Sequence, residues 1–515
     1  MPQDHDRAFA AIGGWRVGRA LTCSVGPDKL LVFPFPIRYP FHMVGTTPSL
    51  TPALRIQPAA AAATDRAGAN APTVPEKGPH AMPPSPANRI SRRRFLQRAA
   101  ATIVAPMIVP ASTLGLNGAT APSNRIAFGC IGVGNRARHV MPSFLAQPDI
   151  VFTAVSDCRE DRLKSAKELM DAHYGNKDCR TYPDFRDLLA QKDIDAVFIA
   201  TGDRWHTTAS IHAARAGKDI YSEKPISLYI GEGRALVETC RRYGTIYQGG
   251  TQRRSTASYR FALEMVRQGR IGRLHTVEMQ VWTGPTIPHD KPAPVPAGWD
   301  YDTWLGPVQW RPFVPGRVSG GNWNYFWDTG EGPIIGMGCH YTDQMQWTLE
   351  RDHTGPTEFD GKCEWPDPVK FMSETPVAAE VRCRYADGIT GVMYSRGTFK
   401  ERYIRYIGDE GWIQVDDETN AVTAEPKSIL GLRATAGVSW DNAGDHVRNL
   451  LDSIRSRRPT ICHPEAAHRA QTICQAMNIG LRLGRKLRWD PVAERFDCDE
   501  ANRMMWREAR APWRV

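Results

Sequence analysis

Residues 125–140 read RIAFGCIGVGNRARHV. An apolar, β-branched run ends at Gly132, and Gly132, Gly134 and Ala137 fall into a G-x-G-x-x-A pattern. In a strand–turn–helix unit each position has a physical reason. The first glycine permits a tight turn, and the second lets a pyrophosphate approach the backbone. The small third residue lets the helix pack closely on the strand, and the helix N-terminus, here Asn135 and Arg136, then faces the phosphates. The alternative is a glycine turn that only packs, so context decides. Here the next apolar run, VFTAVSD (151–157), ends in Asp157, twenty residues past Ala137. A carboxylate there bonds both ribose hydroxyls and repels a 2′-phosphate, so NAD is expected over NADP. Arg159, close behind, softens that preference.

Outward from this unit the pattern repeats. DAVFIAT (195–201), DIYSEKP (219–225) and GTIYQGG (244–250) are short apolar runs. Segments of helical period separate them, such as REDRLKSAKELMDAHYG with Leu163, Ala166 and Leu169 on one face. Short strands alternating with helices predict an α/β fold with a parallel sheet covered on both sides. From about residue 275 the strands lengthen and alternate, as in LHTVEMQVW and YIRYIGDEGWIQVDD, which predicts an antiparallel sheet. GDHVRNLLDSIRSRR and PEAAHRAQTICQAMNIGLRLGRKL then return to helix. The expected organisation is a nucleotide-type domain over 122–250 followed by an α+β domain over 251–515.

Charge divides the chain differently. Residues 1–121 carry 13 Lys+Arg and 5 Asp+Glu, a net of +8, against +10 for the whole chain. The remaining 394 residues are nearly neutral, which argues against a nucleic-acid partner. Residues 1–90 are rich in Ala, Pro and Gly without sustained periodicity, and read as disordered or as never translated. From Met82 the chain runs through SRRRFLQ (91–97) into an apolar stretch interrupted by Pro106 and Pro110, the layout of a secretory leader over 91–121. The stretch is too short and broken to span a membrane, which takes ~20 apolar residues. With Arg92 and Arg93 as the pair and Phe95-Leu96 behind them, it resembles a twin-arginine export signal, which implies export of a folded protein to a periplasm or equivalent compartment. A basic amphipathic linker is the alternative. Of the 11 cysteines, 10 follow the leader, with no CxxC pair and no Cys/His cluster of metal-ligand spacing, so neither a disulfide framework nor a metal site is expected.

Beyond the glycine fingerprint, IATGDRWH (199–206), SEKPIS (222–227), GTQRRS (250–255), DTWLGP (302–307) and GMGCHYTD (336–343) together resemble the Gfo/Idh/MocA oxidoreductases. The resemblance covers 123–515. It implies a Rossmann domain plus an open, mostly antiparallel sheet that holds substrate and often builds homo-oligomers. It also implies hydride exchange between a nicotinamide and a sugar or polyol. It assigns Lys224 and His340 to the reacting hydroxyl, and Glu223, Thr201, Trp205, His206 and Gln252 to the cofactor side. Independently, alcohol oxidation needs a base for the hydroxyl proton, and Lys224 ends a parallel strand where open α/β sheets bind ligands. Pro225 suits a cis turn there. A solvated lysine and a satisfied core histidine are the alternatives.

The chain departs from the family at two places. Gly336 stands where many members carry an Asp one helical turn before the histidine, which leaves Asp343, Asp328 and Glu331 as substitutes. Gly202-Asp203-Arg204 replaces the usual Pro-Asp-His. NWNYFW (322–327) suits either stacking on a sugar ring or core packing. Cofactor retention after export would need residues 116–125 or this aromatic loop to close over the adenine side. Three functions fit: the oxidoreductase, a glycosidase that oxidises its sugar transiently with NAD, and a silent sugar-binding or scaffold protein, which the missing carboxylate permits. For the leader, the expectation is a precursor beginning at Met82. Peptide mapping of protein from its own cells should return nothing from 1–81, and recovery of GWRVGR (14–19) overturns it.

Overall fold

The structure, a computed structural model, describes residues 124–432 and 444–515. The leader features expected at Met82, Arg92 and Arg93, and all of the 116–125 arm but its last two residues, lie outside the described residues. Two sheets organise the rest. The first holds β1 (Ile126–Ile131), β2 (Ile150–Ser156), β3 (Arg180–Tyr182), β4 (Ala196–Ile199), β5 (Asp219–Ser222) and β6 (Tyr247–Gly249). Their order is β3-β2-β1-β4-β5-β6, and every pairing is parallel. The apolar runs read from sequence are β1, β2, β4, β5 and β6, covered by intervening helices, while the short, polar β3 was not among them. The order reverses between β1 and β4, and a crevice opens at the carboxyl ends of strands at such a point.

The second sheet has nine strands: β7 (Leu274–Val281), β8 (Glu358–Glu364), β9 (Ala378–Arg384), β10 (Thr390–Ser395), β11 (Tyr403–Gly408), β12 (Gly411–Asp416), β13 (Val422–Glu425), β14 (Leu487–Asp490) and β15 (Arg495–Phe496). Their order is β13-β12-β11-β7-β10-β9-β8-β14-β15. All neighbours are antiparallel except β7 and β10, so the sheet is mixed but mostly antiparallel. Alternating residues such as Val277, Met279, Val381, Met393 and Ile404 face one core with Met345, Ile473 and Met477 from the helices Gly338–Thr348 and Pro464–Leu483. Among the described residues no helix is long and apolar enough to cross a membrane.

The division near residue 250 is not a clean break in space. Helix His446–Ser456 sends Val447, Leu450 and Leu451 into the first sheet's core beside Phe128, Phe144 and Phe152. Near the C-terminus, Trp513 packs on Phe185 and Trp205. The reason lies in the amphipathic pattern of 446–456, whose apolar stripe would otherwise face water. Leu450→Ala should therefore destabilise the dinucleotide-type half by about 2–5 kcal/mol. Urea unfolding followed by circular dichroism checks this, and an unchanged midpoint would mean the helix does not belong to that core.

Candidate functional site

The turn after β1 has the conformation the fingerprint requires. Gly132 has φ +81°, and a Cβ there would lie 2.8 Å from the Thr201 backbone, so only glycine fits. Gly134 caps helix Asn135–Leu145 with no side-chain cap, which leaves the first amides free for an anion. Ala137 is fully buried against the sheet. Asp157 sits at the end of β2, where its carboxylate accepts from the Val133 amide (2.9 Å) and the Arg159 amide (3.1 Å). Burial raises its pKa, against the opposing pull of Arg162, whose guanidinium lies 3.9 Å away.

Gly132, Gly134 and Asp157 line a cleft of about 580 Å³ with Asn135, Arg136, Thr201 and Trp205. Its other wall comes from the segment between β7 and β8: Trp299, Trp304, the 319–321 turn and Trp323. Backbone bonds join this wall to the first sheet's edge, Glu160 N–H to the Gly298 carbonyl and Asp300 N–H to the Cys158 carbonyl, both 2.9 Å. Trp205 Nε1 donates to the Thr303 carbonyl (3.0 Å), and Arg204 donates to the Trp304 carbonyl with its guanidinium 3.9 Å over that indole. Sequence reading named Trp205 and the 322–327 run. Trp299 escaped it, and Arg204 and Trp304, though within quoted motifs, were given no place at the cofactor, because only the tertiary fold brings them to the cleft. Of the aromatic run, Trp323 lines the cleft and Phe326 is buried beneath Arg317. Trp327 meets Trp365 edge-to-face and lies under the Arg482 guanidinium. The glycine turn, the free amides and Asp157 fit a nicotinamide dinucleotide.

Beyond the cleft, at the ends of β5 and β6, a second cluster forms. The Lys224–Pro225 peptide is cis, and Lys224 Nζ donates to the Gly336 carbonyl. Glu223 is buried and held ionised by Arg136 (2.9 Å), and Gln252 donates to the same carboxylate oxygen (3.1 Å). His340 is buried, and Arg253 Nη1 lies 3.4 Å from its Nε2. Burial, with the charges of Arg253, Lys224 and Arg136, pushes the imidazole pKa well down, so the ring is neutral. A guanidinium can only donate, which leaves the ring proton on Nδ1, an atom with no partner among the described residues. Arg253 itself is held by Asp417 at 2.9 and 2.8 Å. The structure thus brings Lys224, His340, Glu223, Gln252 and Arg136 together and adds Arg253.

Other expected residues are placed differently. His206 Nδ1 lies 2.7 Å from the Pro225 carbonyl, and burial lowers its pKa to about 4. It braces the Lys224–Pro225 turn from behind and does not line the cleft. Asp343 is correctly near His340 in sequence, but Arg254 takes both its oxygens (2.7–3.0 Å) in full burial. Asp328 is engaged by Arg311 and by Arg317 (2.6 Å). Glu331 is buried beside Asn478, with its pKa raised by burial to about 8. None of the three stands in for the missing carboxylate at Gly336, because each already has its own partner.

Comparison with known proteins agrees with this layout. Residues 126–251 match the oxidoreductase family's NAD-binding Rossmann fold, and residues 275–515 match its C-terminal alpha/beta domain. The chain belongs to the Gfo/Idh/MocA oxidoreductase family. Over 151 residues it is 28% identical to a myo-inositol 2-dehydrogenase of Thermotoga maritima, covering 29% of this chain and 43% of the relative. Over 122 residues it is 35% identical to a glycosyl hydrolase family 109 protein of Saccharopolyspora erythraea, covering 23% and 26%. The chain thus spans less than half the length of these curated relatives. Among solved structures, the WlbA dehydrogenase of Bordetella pertussis, in complex with NADH and UDP-GlcNAcA, shares the fold. Its TM-score is 0.54 at 18% identity, covering 71% of this chain and 99% of that one.

Within this Gfo/Idh/MocA chain Asp157 is the carboxylate at the end of β2 that lines the cleft, the position at which the sequence reading expects a ribose contact. Asp157→Ala removes charge-assisted hydrogen bonds of about 1.5–3 kcal/mol, so the Kd for NAD should rise roughly ten- to hundredfold. NADP should weaken less. Tryptophan fluorescence titration reads both, and an unmodified protein that prefers NADP overturns the assignment.

Proposed function

We propose that this protein is a nicotinamide-dependent oxidoreductase that interconverts a CH–OH group and a carbonyl on a sugar, polyol or sugar derivative, with NAD preferred. The observation that carries the reading is the Lys224–His340–Arg253 cluster at the strand ends immediately beside a dinucleotide cleft. The bound nicotinamide supplies the hydride acceptor or donor. The chain's own groups handle the proton and the oxygen. Lys224 Nζ, anchored on the Gly336 carbonyl, offers a donor to a hydroxyl or carbonyl oxygen and, when neutral, accepts the hydroxyl proton. His340 is kept uncharged by burial and by its cationic neighbours, so it holds an oxygen without repelling Lys224. Glu223 fixes Arg136 at the mouth of the cleft.

Twin-arginine export and assembly into a homo-oligomer belong to the same proposal. In a compartment poor in free dinucleotide, the cofactor would travel with the protein and be recycled by a second substrate. The wall carrying Trp299, Trp304 and Trp323, joined by backbone bonds to the first sheet, supports such retention.

The test is a panel of myo-inositol, D-glucose, their keto forms and aryl glycosides, read by the absorbance of the reduced nicotinamide. One class should turn over, and Lys224→Ala should lower kcat/KM by about 10²–10⁴-fold. Glycoside cleavage without net NADH would show the transient-oxidation glycosidase instead, and no turnover with unchanged sugar binding in Lys224→Ala would show a silent binder. Protein purified without added cofactor and then denatured should release near-stoichiometric NAD(H). An empty protein refutes the resident cofactor.

A further inference from the structure

We propose that residues 298–310 form a strap under which the bound dinucleotide threads, and that this strap opens at its β2 edge to admit and release the cofactor. This rests on the reading of the cleft as a nicotinamide dinucleotide site.

The placement follows from strand order. β1 lies between β2 and β4 in the parallel sheet, so the Gly132–Gly134 turn after β1 lies between the segments that follow its two neighbours. The strap is fastened to both of those segments. After β2, Glu160 N–H donates to the Gly298 carbonyl and Asp300 N–H to the Cys158 carbonyl, both 2.9 Å. After β4, Trp205 Nε1 donates to the Thr303 carbonyl and Arg204 to the Trp304 carbonyl. Between these ties lies the cleft, with Gly132, Gly134 and Asp157 on one wall and Trp299, Thr303 and Trp304 on the other. A dinucleotide whose pyrophosphate rests on the β1 turn therefore runs beneath the strap. Each tie joins chain to chain, so the strap is fastened whether or not a cofactor lies under it. Entry and exit both require one edge to let go.

The two edges are unequal. At the β4 edge Arg204 is 2% exposed, and its guanidinium lies 3.9 Å over the Trp304 ring. A Cβ at Gly202 would lie 2.4 Å from Arg204 Nη1, and one at Gly306 would lie 2.3 Å from the Trp205 indole. Both glycines are therefore needed for this close fit. The C-terminal residues add further ties. Arg510 donates to the Gly306 carbonyl (2.8 Å), the Asp302 carboxylate (2.7 Å) and the Asp302 carbonyl (2.6 Å). Gln309 Nε2 donates to the Glu508 carbonyl (2.7 Å), and Trp513 packs on Trp205. The β2 edge has the two backbone bonds and the partly exposed Arg159 guanidinium, 4.7 Å over Trp299. Two such bonds part more readily than the set at the other edge. Asp157 ends β2, so the edge that opens is the adenosine side.

One backbone donor can be removed with little else. Glu160 is the first residue of helix Glu160–Tyr174, and Arg159 before it is extended, with φ −122° and ψ 123°. Proline is accepted at such a position and has no N–H, so Glu160→Pro deletes the bond to Gly298. Glu160→Ala keeps the N–H and serves as the control.

The experiment uses the full-length protein in stopped flow. Loss of energy transfer from tryptophan to NADH, on chasing with excess NAD, reads release. Mixing protein with NADH reads association. Glu160→Pro should speed both roughly three- to tenfold and leave the Kd within about threefold, because an opening edge controls entry and exit alike. Glu160→Ala and Arg510→Ala should keep wild-type rates. Gly298→Ala puts a Cβ at φ +73° and 3.0 Å from the Glu160 carboxylate, which loosens the same edge. It is the variant to use should Glu160→Pro not fold, and it should speed both rates likewise. Unchanged rates in these edge variants defeat this proposal alone. So does faster release with the Kd raised in proportion, which marks lost grip and not gating. Arg510→Ala accelerating as much as Glu160→Pro overturns the choice of edge. A protein that binds no nicotinamide dinucleotide defeats the functional reading, and the strap's role with it.

Discussion

Arg254, about 1% exposed, donates to Asp343 on the helix that carries His340, to Asp352 just beyond that helix, and to the Ile461 carbonyl. It belongs to the short turn Gln252–Ser255 that follows β6. One side chain therefore fixes the His340 helix of the second domain against the strand ends of the first. Buried ion pairs contribute little net stability, because desolvation offsets attraction, but removing one partner leaves a charge stranded at a cost of about 3–5 kcal/mol. Such a pair specifies geometry more than it stabilises. The distance between Lys224 and His340, on which any shared work at one hydroxyl depends, is set through this contact.

That geometry concentrates positive charge. Arg136, Lys224 and Arg253 converge, and the buried carboxylate among them that stays ionised, Glu223, is matched to Arg136. A protonated imidazole would be a fourth cation in a poorly solvated site, which is why His340 is held neutral. Asp417 absorbs Arg253 and is itself bonded by Tyr259. The surplus charge left over suits a site in which oxygen gains negative character as a carbonyl is reduced or a hydroxyl deprotonated.

What could be read in the sequence was what is local. Gly132, Gly134, Ala137 and Asp157 lie within a single strand–helix–strand unit, so their spacing already encodes their geometry. Five of the six parallel strands, all but the short β3, and the change to long alternating ones were visible for the same reason. The substitutes for the missing carboxylate were not. Asp343, Asp328 and Glu331 are close to His340 along the chain, yet their partners Arg254, Arg311, Arg317 and Asn478 come from elsewhere in the chain and decide what each is free to do. The second wall of the cleft was hidden likewise, since Trp299 stands in no motif and Trp304, within DTWLGP, shows no sign in sequence of facing Arg204.

At Gly336 the backbone supplies an acceptor to Lys224 where the family resemblance leads one to expect a carboxylate. Anchoring Lys224 requires only an acceptor of fixed position, and a carbonyl at the end of the short helix Gly332–Gly336 provides it without any ionisable group. Moving a proton requires a group whose charge can change, and a carbonyl cannot supply that. Once the anchor became backbone, the titrating function had to sit elsewhere or be lost. Asp203 is buried with no ion-pair partner among the described residues, whereas Asp343 and Glu223 are each tied to an arginine. An open space at a lost side chain therefore does not by itself mark a silent site. It marks one only if no neighbouring acid remains free to exchange a proton.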